Sequence, residues 1–204
     1  MRSARVALPV VIVGALVIII AYVGWRHGGP NQFEAAFTPG GKVALDLSAG
    51  GYNIRGTPEN RIRVEIDSHD IRDVRCNIDV SGTSAKVILE GPSNNFRATI
   101  YVPQRSDLKV DQTIGDLVVT NVEGNKDLGL NIGRLQVEVA SGAAQPSFDG
   151  SVNLGSLRAG PWNVEKGGFF RDYATKSASP YAVRAHVDIG DLEVSQAASL
   201  SKAQ

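Results

Sequence analysis

The chain has 204 residues, and its 21 basic side chains balance its 21 acidic ones. Nothing in it forms the basic stripe that nucleic-acid binding requires, so no nucleic-acid partner is expected. Cys76 is the only cysteine, which excludes an intramolecular disulfide.

The N-terminus carries Arg2 and Arg5, and no further charge appears until Arg26. The stretch between them, residues 6–25, reads VALPVVIVGALVIIIAYVGW. As a helix rising about 1.5 Å per residue it reaches ~30 Å, the thickness of a bilayer's hydrocarbon core. Pro9 falls in the first turns, where a missing N–H does little harm, and Tyr22 and Trp25 sit where interfacial aromatics belong. The expectation is a transmembrane anchor over 6–25 behind a short cytoplasmic N-terminus, 1–5. The competing reading is a cleaved signal peptide, but its apolar region normally runs ~7–15 residues and ends in a small-x-small site. No good site of that kind lies near Val23. The slight excess of positive charge before the segment places the remaining chain outside the membrane.

Residues 26–41, RHGGPNQFEAAFTPGG, are punctuated by glycine and proline and read as a flexible tether, with Phe33 and Phe37 packing partly on the domain downstream. From Lys42 onward the chain reads as β. Val43, Leu45 and Leu47 alternate with polar or small residues, as do Ile62, Val64 and Ile66, then Val74, Cys76, Ile78 and Val80, then Phe96, Ala98, Ile100 and Val102. Such runs have one buried and one wet face. Turn residues separate them at 49–51, 57–60, 81–83 and 91–95. Cys76 falls in the apolar register and reads as a core residue.

Beyond residue 103 one phrase occurs four times: Ile114-Gly115-Asp116-Leu117, Ile132-Gly133-Arg134-Leu135, Leu154-Gly155-Ser156-Leu157 and Ile189-Gly190-Asp191-Leu192. In a strand, residues two apart share a face, whereas the aliphatic residue and the leucine are three apart. Both point inward only if the chain bends between them, and Gly115, Gly133, Gly155 and Gly190 supply that bend through positive φ. The glycines fall 18, 22 and 35 residues apart. Intervals of ~20 residues are typical of stacked coils. The last interval must hold an insertion or an extra coil. The fold expected is all-β, a single-chain β-solenoid over 42–195 with a disordered tail over 196–204.

The order of these pieces resembles a known family. An opening strand ends in Gly50-Gly51-Tyr52-Asn53-Ile54, and Arg61–Asp67 follows. Another strand closes on Ile100-Tyr101-Val102-Pro103, then Leu108-Lys109-Val110 leads into Gly-x-Leu-x-Val phrases ending in Gly190-Asp191-Leu192-Glu193-Val194. In this the chain is similar to the toast-rack, or putative-adhesin, family of bacterial envelope proteins, over about residues 42–195. The resemblance implies a β-solenoid, often tethered to a membrane and linked to adhesion or envelope sensing, and it carries no catalytic signature. The departure is the longer and more aromatic segment 161–181.

No catalytic constellation stands out. His27, His69 and His186 lie far apart in sequence, none paired at metal-ligand spacing, and no phosphate loop or nucleophile motif is present. No metal and no cofactor are expected. Stacking the four phrases in chain order predicts an outward ladder of Asp116, Arg134, Ser156 and Asp191, beside Val118, Gln136, Arg158 and Glu193. Mixed signs on adjacent rungs read as charge compensation, whereas a glycan-cleaving site gathers two or three carboxylates. The aromatic segment carries Trp162, Phe169, Phe170, Arg171, Tyr173 and Tyr181. It reads either as a binding surface, formed by Trp162, Phe169, Phe170, Arg171 and Tyr173, or as a cap over the end of the coils.

These features together predict a non-catalytic, single-pass membrane module of the cell envelope serving scaffolding, adhesion or sensing. Its partners are the membrane through the N-terminal helix and an envelope protein or glycan, with homo-oligomerisation open. The alternative is a carbohydrate-active β-helix enzyme acting on cell-surface polysaccharide. Convergence of Asp116, Asp191 and Glu193 in one groove would favour it.

Overall fold

The computed structural model describes residues 26–29, 31–67, 73–92, 95–140 and 145–197. The expected anchor at 6–25 and most of the expected tail lie outside the described residues. Among the described residues no helix is long and apolar enough to cross a membrane.

The chain is all-β with a mixed sheet. Its strands are β1 (Arg26–Gly29), β2 (Gln32–Ala36), β3 (Lys42–Leu47), β4 (Gly50–Thr57), β5 (Arg61–Ile66), β6 (Arg75–Ser81) and β7 (Ser84–Glu90). They continue as β8 (Arg97–Pro103), β9 (Asp107–Thr120), β10 (Lys126–Val139), β11 (Ser147–Ala159), β12 (Val164–Thr175) and β13 (Ala182–Gln196). A short 3-10 turn at Gly160–Trp162 joins β11 to β12.

The middle of the sheet is parallel, in the order β8-β4-β9-β10-β13-β11, with β3 also laid parallel between β7 and β9. Antiparallel strands close both ends: β5 on β8 and β6 on β7 at one, β12 on β11 at the other. The stretch 26–41, read as a tether, is largely built into the fold. It holds β1 and β2, β2 pairs antiparallel with β5, and Phe37 is buried. The reason is local: Phe37 is buried in the core and Phe33 packs against it, so this stretch buries apolar area that a free linker leaves wet.

Each of β9, β10, β11 and β13 runs through its glycine, and the four glycines stand in one line. Gly115 pairs with Gly133, Gly133 with Gly190 and Gly190 with Gly155. Their φ angles are +125, +138, +138 and +143° respectively. Both arms of each strand bury side chains in one apolar cluster, so the strand folds around that cluster at the glycine. In β10, for example, Leu128 and Leu130 on one arm and Leu135 and Val137 on the other are all buried.

Half of the inward expectation fails. Leu117, Leu135, Leu157 and Leu192 are fully buried, but Ile114, Ile132, Leu154 and Ile189 are 45, 43, 40 and 47% exposed. The inward residues lie three before and two after each glycine, as with Leu130 and Leu135 around Gly133. The inside of a bend has room for one side chain from each arm. The two residues before the glycine are therefore turned out, in the manner of a bulge.

Strand order departs from sequence order at one place. The long interval between Gly155 and Gly190 contains β12, which runs back antiparallel along β11, and β13 then inserts between β10 and β11. A fifth copy of the corner escaped the sequence reading. Gly50 pairs with Gly115, Leu47 three residues before it and Tyr52 two after it are buried, and Ala49 stands where the other copies have isoleucine or leucine.

Candidate interaction surface

The outward side of the corners carries five of the seven large hydrophobic side chains exposed among the described residues: Ile114, Ile132, Leu154, Ile189 and Phe169. Cross-strand pairing sets Ile114 beside Ile132, Ile132 beside Ile189, Ile189 beside Leu154, and Leu154 beside Phe169 of β12. Phe169 is 66% exposed and its neighbour Phe170 is 78% exposed. Four corners thus each place a large aliphatic side chain in water on one line, and the line ends in two phenylalanines at the edge of the sheet. Flanking rungs are polar: Thr113, Asn131, Asp188 and Asn153 on one side, Asp116, Arg134, Asp191 and Ser156 on the other. An apolar strip with a polar rim is the usual form of a docking surface.

The aromatic segment divides into two parts with different tasks. Trp162 stacks on buried Phe148 at 4.8 Å between ring centroids and 11° between planes, and Tyr173 lies 6.3 Å from Phe148. These two rings cover the open end of the apolar interior. Phe169 and Phe170 stand beyond them, at the bend of β12, where Gly168 and Phe170 both have positive φ, +113 and +50°. Arg171 closes the bend from within, its Nε donating to the Gly167 carbonyl at 2.8 Å, while Lys166 Nζ donates to the Asp172 carbonyl at 2.7 Å. Of the five residues predicted to bind, Trp162 and Tyr173 therefore cap, Arg171 braces, and Phe169 and Phe170 face outward.

The polar ladders are compensated, and strand order sharpens the pattern. The first runs Asp116, Arg134, Asp191, Ser156, so the two carboxylates are separated by the Arg134 strand. Ser156 Oγ donates to Asp191 Oδ1 at 2.5 Å. In the second, Gln136 donates to Glu193 at 3.0 Å and Arg158 bridges to Glu165 at 3.2 Å. Asp116 is thus held two strands away from Asp191, while Asp191 and Glu193 share one face of β13.

Parallel pairing also assembles a constellation that sequence spacing hides. Ser151 on β11 lies opposite His186 on β13, with Ser151 Oγ and His186 Nδ1 2.8 Å apart. His186 Nε2 is 3.0 Å from Asp188 Oδ1, which also accepts from Asn153 Nδ2 at 2.7 Å. A serine, a histidine and a carboxylate in series are the parts of a nucleophilic site. Here the His186 and Asp188 side chains are nearly half exposed on the outer sheet face, where strand N–H groups are committed to neighbouring strands and are not aimed at an oxyanion. The network ties β11 to β13. The signal was the matching offset of Ser151 and His186 from their corner glycines, legible only with the strand order known. His69 lies outside the described residues.

Two reactive groups are wholly or partly withdrawn from water. Lys126 is 5% exposed at an inward position between Leu108 and Val183, with Nζ donating to the Gly124 carbonyl at 3.1 Å. Desolvation pulls its pKa down to about 8, with Glu123 and Asp107 opposing the shift. Burial pushes the Cys76 thiol up to about 12, which makes it a poor nucleophile. Among the described residues no group of three or more His, Cys, Asp or Glu side chains is placed to hold a metal ion.

No protein-family model matches the chain, and no curated protein matches it. Solved structures do. A "putative cell adhesion protein" from Clostridium sporogenes is 12% identical with a TM-score of 0.49, over 83% of this chain and 100% of that one. A "putative adhesin" from Parabacteroides merdae is 13% identical with a TM-score of 0.27, over 83% and 93% of the two chains. Another from Parabacteroides distasonis is 12% identical with a TM-score of 0.24, over 52% and 56%. The names of these bacterial proteins agree with the family that the sequence resembles. At such identities and scores they add nothing further.

Proposed function

We propose that this chain is a non-catalytic adhesion module of the bacterial cell envelope. Its parallel strands act as coils of a β-solenoid, a rigid stalk that presents the Phe169–Phe170 edge, and residues 6–25 anchor it in the membrane with the β domain outside. The observation that carries this reading is the position of the exposed apolar line. It ends at Phe169 and Phe170 on β12, the last strand of the sheet, while the chain enters at β1, the first. Nine strand-to-strand steps at ~4.8 Å separate the two, about 40 Å of sheet. The aromatic edge thus stands far from the proposed anchor, where a partner on another surface reaches it.

The separation of Asp116 from Asp191 by a basic rung supports adhesion over the carbohydrate-active alternative, which needs paired carboxylates. The test is retention of cells or envelope fragments on beads carrying the full chain. Phe169→Asp combined with Phe170→Asp is expected to abolish retention with an unchanged melting temperature. Retention unaffected by both substitutions overturns the reading. Intact-mass measurement and carbonate extraction of the membrane fraction test the anchor: loss of residues 1–25, or release by carbonate, refutes it.

A further inference from the structure

β12 is the end of the sheet: among the described strands it pairs only with β11, and of its backbone carbonyls those of Gly167 and Asp172 accept from the Arg171 and Lys166 side chains of the same strand. Natural edges of this length are normally blunted by charge, proline or a covering loop. This one carries Glu165, Lys166, Arg171 and Asp172, yet exposes Phe169 and Phe170 between them at its centre. The geometry points to a second copy of this chain as the occupant, joined edge to edge and antiparallel, with the twofold axis passing through Phe169.

Three features point to that residue as the axis. The first is conformation. Gly168 and Phe170, on either side of Phe169, both have positive φ, so the strand bends at its middle. A twofold axis along the bisector of that bend exchanges the two arms and brings Gly168 opposite the partner copy's Phe170. A strand bent anywhere else would not follow its own copy around the corner.

The second is charge. With Phe169 facing Phe169 of the other copy, Lys166 faces Asp172, and Asp172 faces Lys166, so two opposite-charge pairs form on one face of the new ladder. Arg171 faces Gly167, which leaves room for the guanidinium. Sliding the register one residue one way puts Lys166 opposite Arg171 and Glu165 opposite Asp172, like against like. Sliding it the other way puts Lys166 opposite Tyr173 and Asp172 opposite Gly167, with no pair formed. The register centred on Gly168 would instead pair Glu165 with Arg171, but it sets Phe169 opposite Gly167; the register centred on Phe169 combines opposite charges with opposed phenylalanines.

The third is the apolar line. Ile114, Ile132, Ile189, Leu154 and Phe169 run up to the axis, and the same residues of the second copy continue from it in reverse order. Union of the edges turns two short apolar strips into one. It also places the two β1 strands at opposite ends, some nineteen strand steps or about 90 Å apart. That arrangement joins two facing surfaces rather than neighbours on one surface. This deepens the adhesion reading and rests on it: the partner at the tip is the same protein on the opposite surface.

The experiment uses the full chain in detergent. Phe169→Cys in a Cys76→Ala background is expected to form a disulfide-linked dimer on mild oxidation, because directly opposed strand residues lie within disulfide reach. Gly167→Cys, two residues off the axis, is expected not to. Lys166→Asp and Asp172→Lys are each expected to weaken the dimer roughly tenfold by sedimentation, since each converts both ion pairs to repulsion. Mixing the two variants is expected to restore association, because every pair is then again of opposite sign. A chain that stays monomeric, cross-links equally at residue 167, or dimerises equally well with Phe169→Asp overturns the proposal. Dimerisation through any other surface, the N-terminal segment included, gives the last of these results. If the wild-type chain is monomeric yet bead retention still depends on Phe169 and Phe170, homophilic contact fails while adhesion stands. Loss of both sinks both.

Discussion

The carbonyl oxygen of Gly133 lies 1.8 Å from the place where a Cβ on Gly190 would sit. The same relation repeats along the line: Gly115 oxygen lies 1.9 Å from the corresponding position on Gly133, and Gly190 oxygen 1.7 Å from that on Gly155. Each corner glycine therefore answers two demands at once. Its φ suits no side chain, and the neighbouring strand fills the space a side chain needs.

Gly190→Ala should accordingly be among the most damaging small substitutions in the chain. Strain at its φ and displacement of a backbone carbonyl together should cost at least ~3 kcal/mol. Gly167→Ala is the control, because nothing lies within 4 Å of its Cβ position. It should change stability by less than ~0.5 kcal/mol. Chemical denaturation of the two variants decides the matter, and equal losses would refute the close-approach argument.

The two aliphatic positions of one corner should behave oppositely. Leu135→Ala removes a fully buried side chain and should cost about 2–5 kcal/mol. Ile132→Thr, at a site 43% exposed, should cost less than ~1 kcal/mol, since Thr keeps the β-branched fit to the strand. If Ile132 proves as costly as Leu135, the outward line serves stability and not docking.

Lys126 gives the stability a pH dependence of known sign. Its pKa is lowered to about 8 in the folded chain from an ordinary value of 10.5. Between those values the unfolded chain holds the proton more tightly, so stability contributed by this residue rises with pH across that window. Below about pH 8 the folded state carries a buried ammonium with one hydrogen bond, and this opposes folding. Lys126→Met should therefore stabilise the protein at neutral pH by about 1–3 kcal/mol, an advantage that fades toward pH 10.5. The difference between variant and wild type cancels other titrations. A pH-independent difference would contradict the assignment.

Cys76 should resist alkylation in the native protein. With its thiol raised to about 12, almost no thiolate exists near pH 8, and the side chain packs against the core. Iodoacetamide labelling should be slow and should speed up sharply in denaturant. Fast native labelling would show that β6 opens readily.

The sequence by itself determined the corners. A glycine between an aliphatic residue and a polar-leucine pair is free to take the positive φ a bend needs, and four copies of the phrase specify bends that stack. It also determined the all-β character and the buried faces of the strands, because alternation is a local property that each segment carries alone. Tertiary structure decided what depends on neighbours far along the chain. It turned Ile114, Ile132, Leu154 and Ile189 outward, since room inside a bend is set by the facing arm. It slipped β13 between β10 and β11, since pairing energy is nearly indifferent to the order in which similar strands arrive. It separated Trp162 and Tyr173, drawn onto Phe148, from Phe169 and Phe170, left in water at the edge. That last division exists only because β12 runs backward along β11.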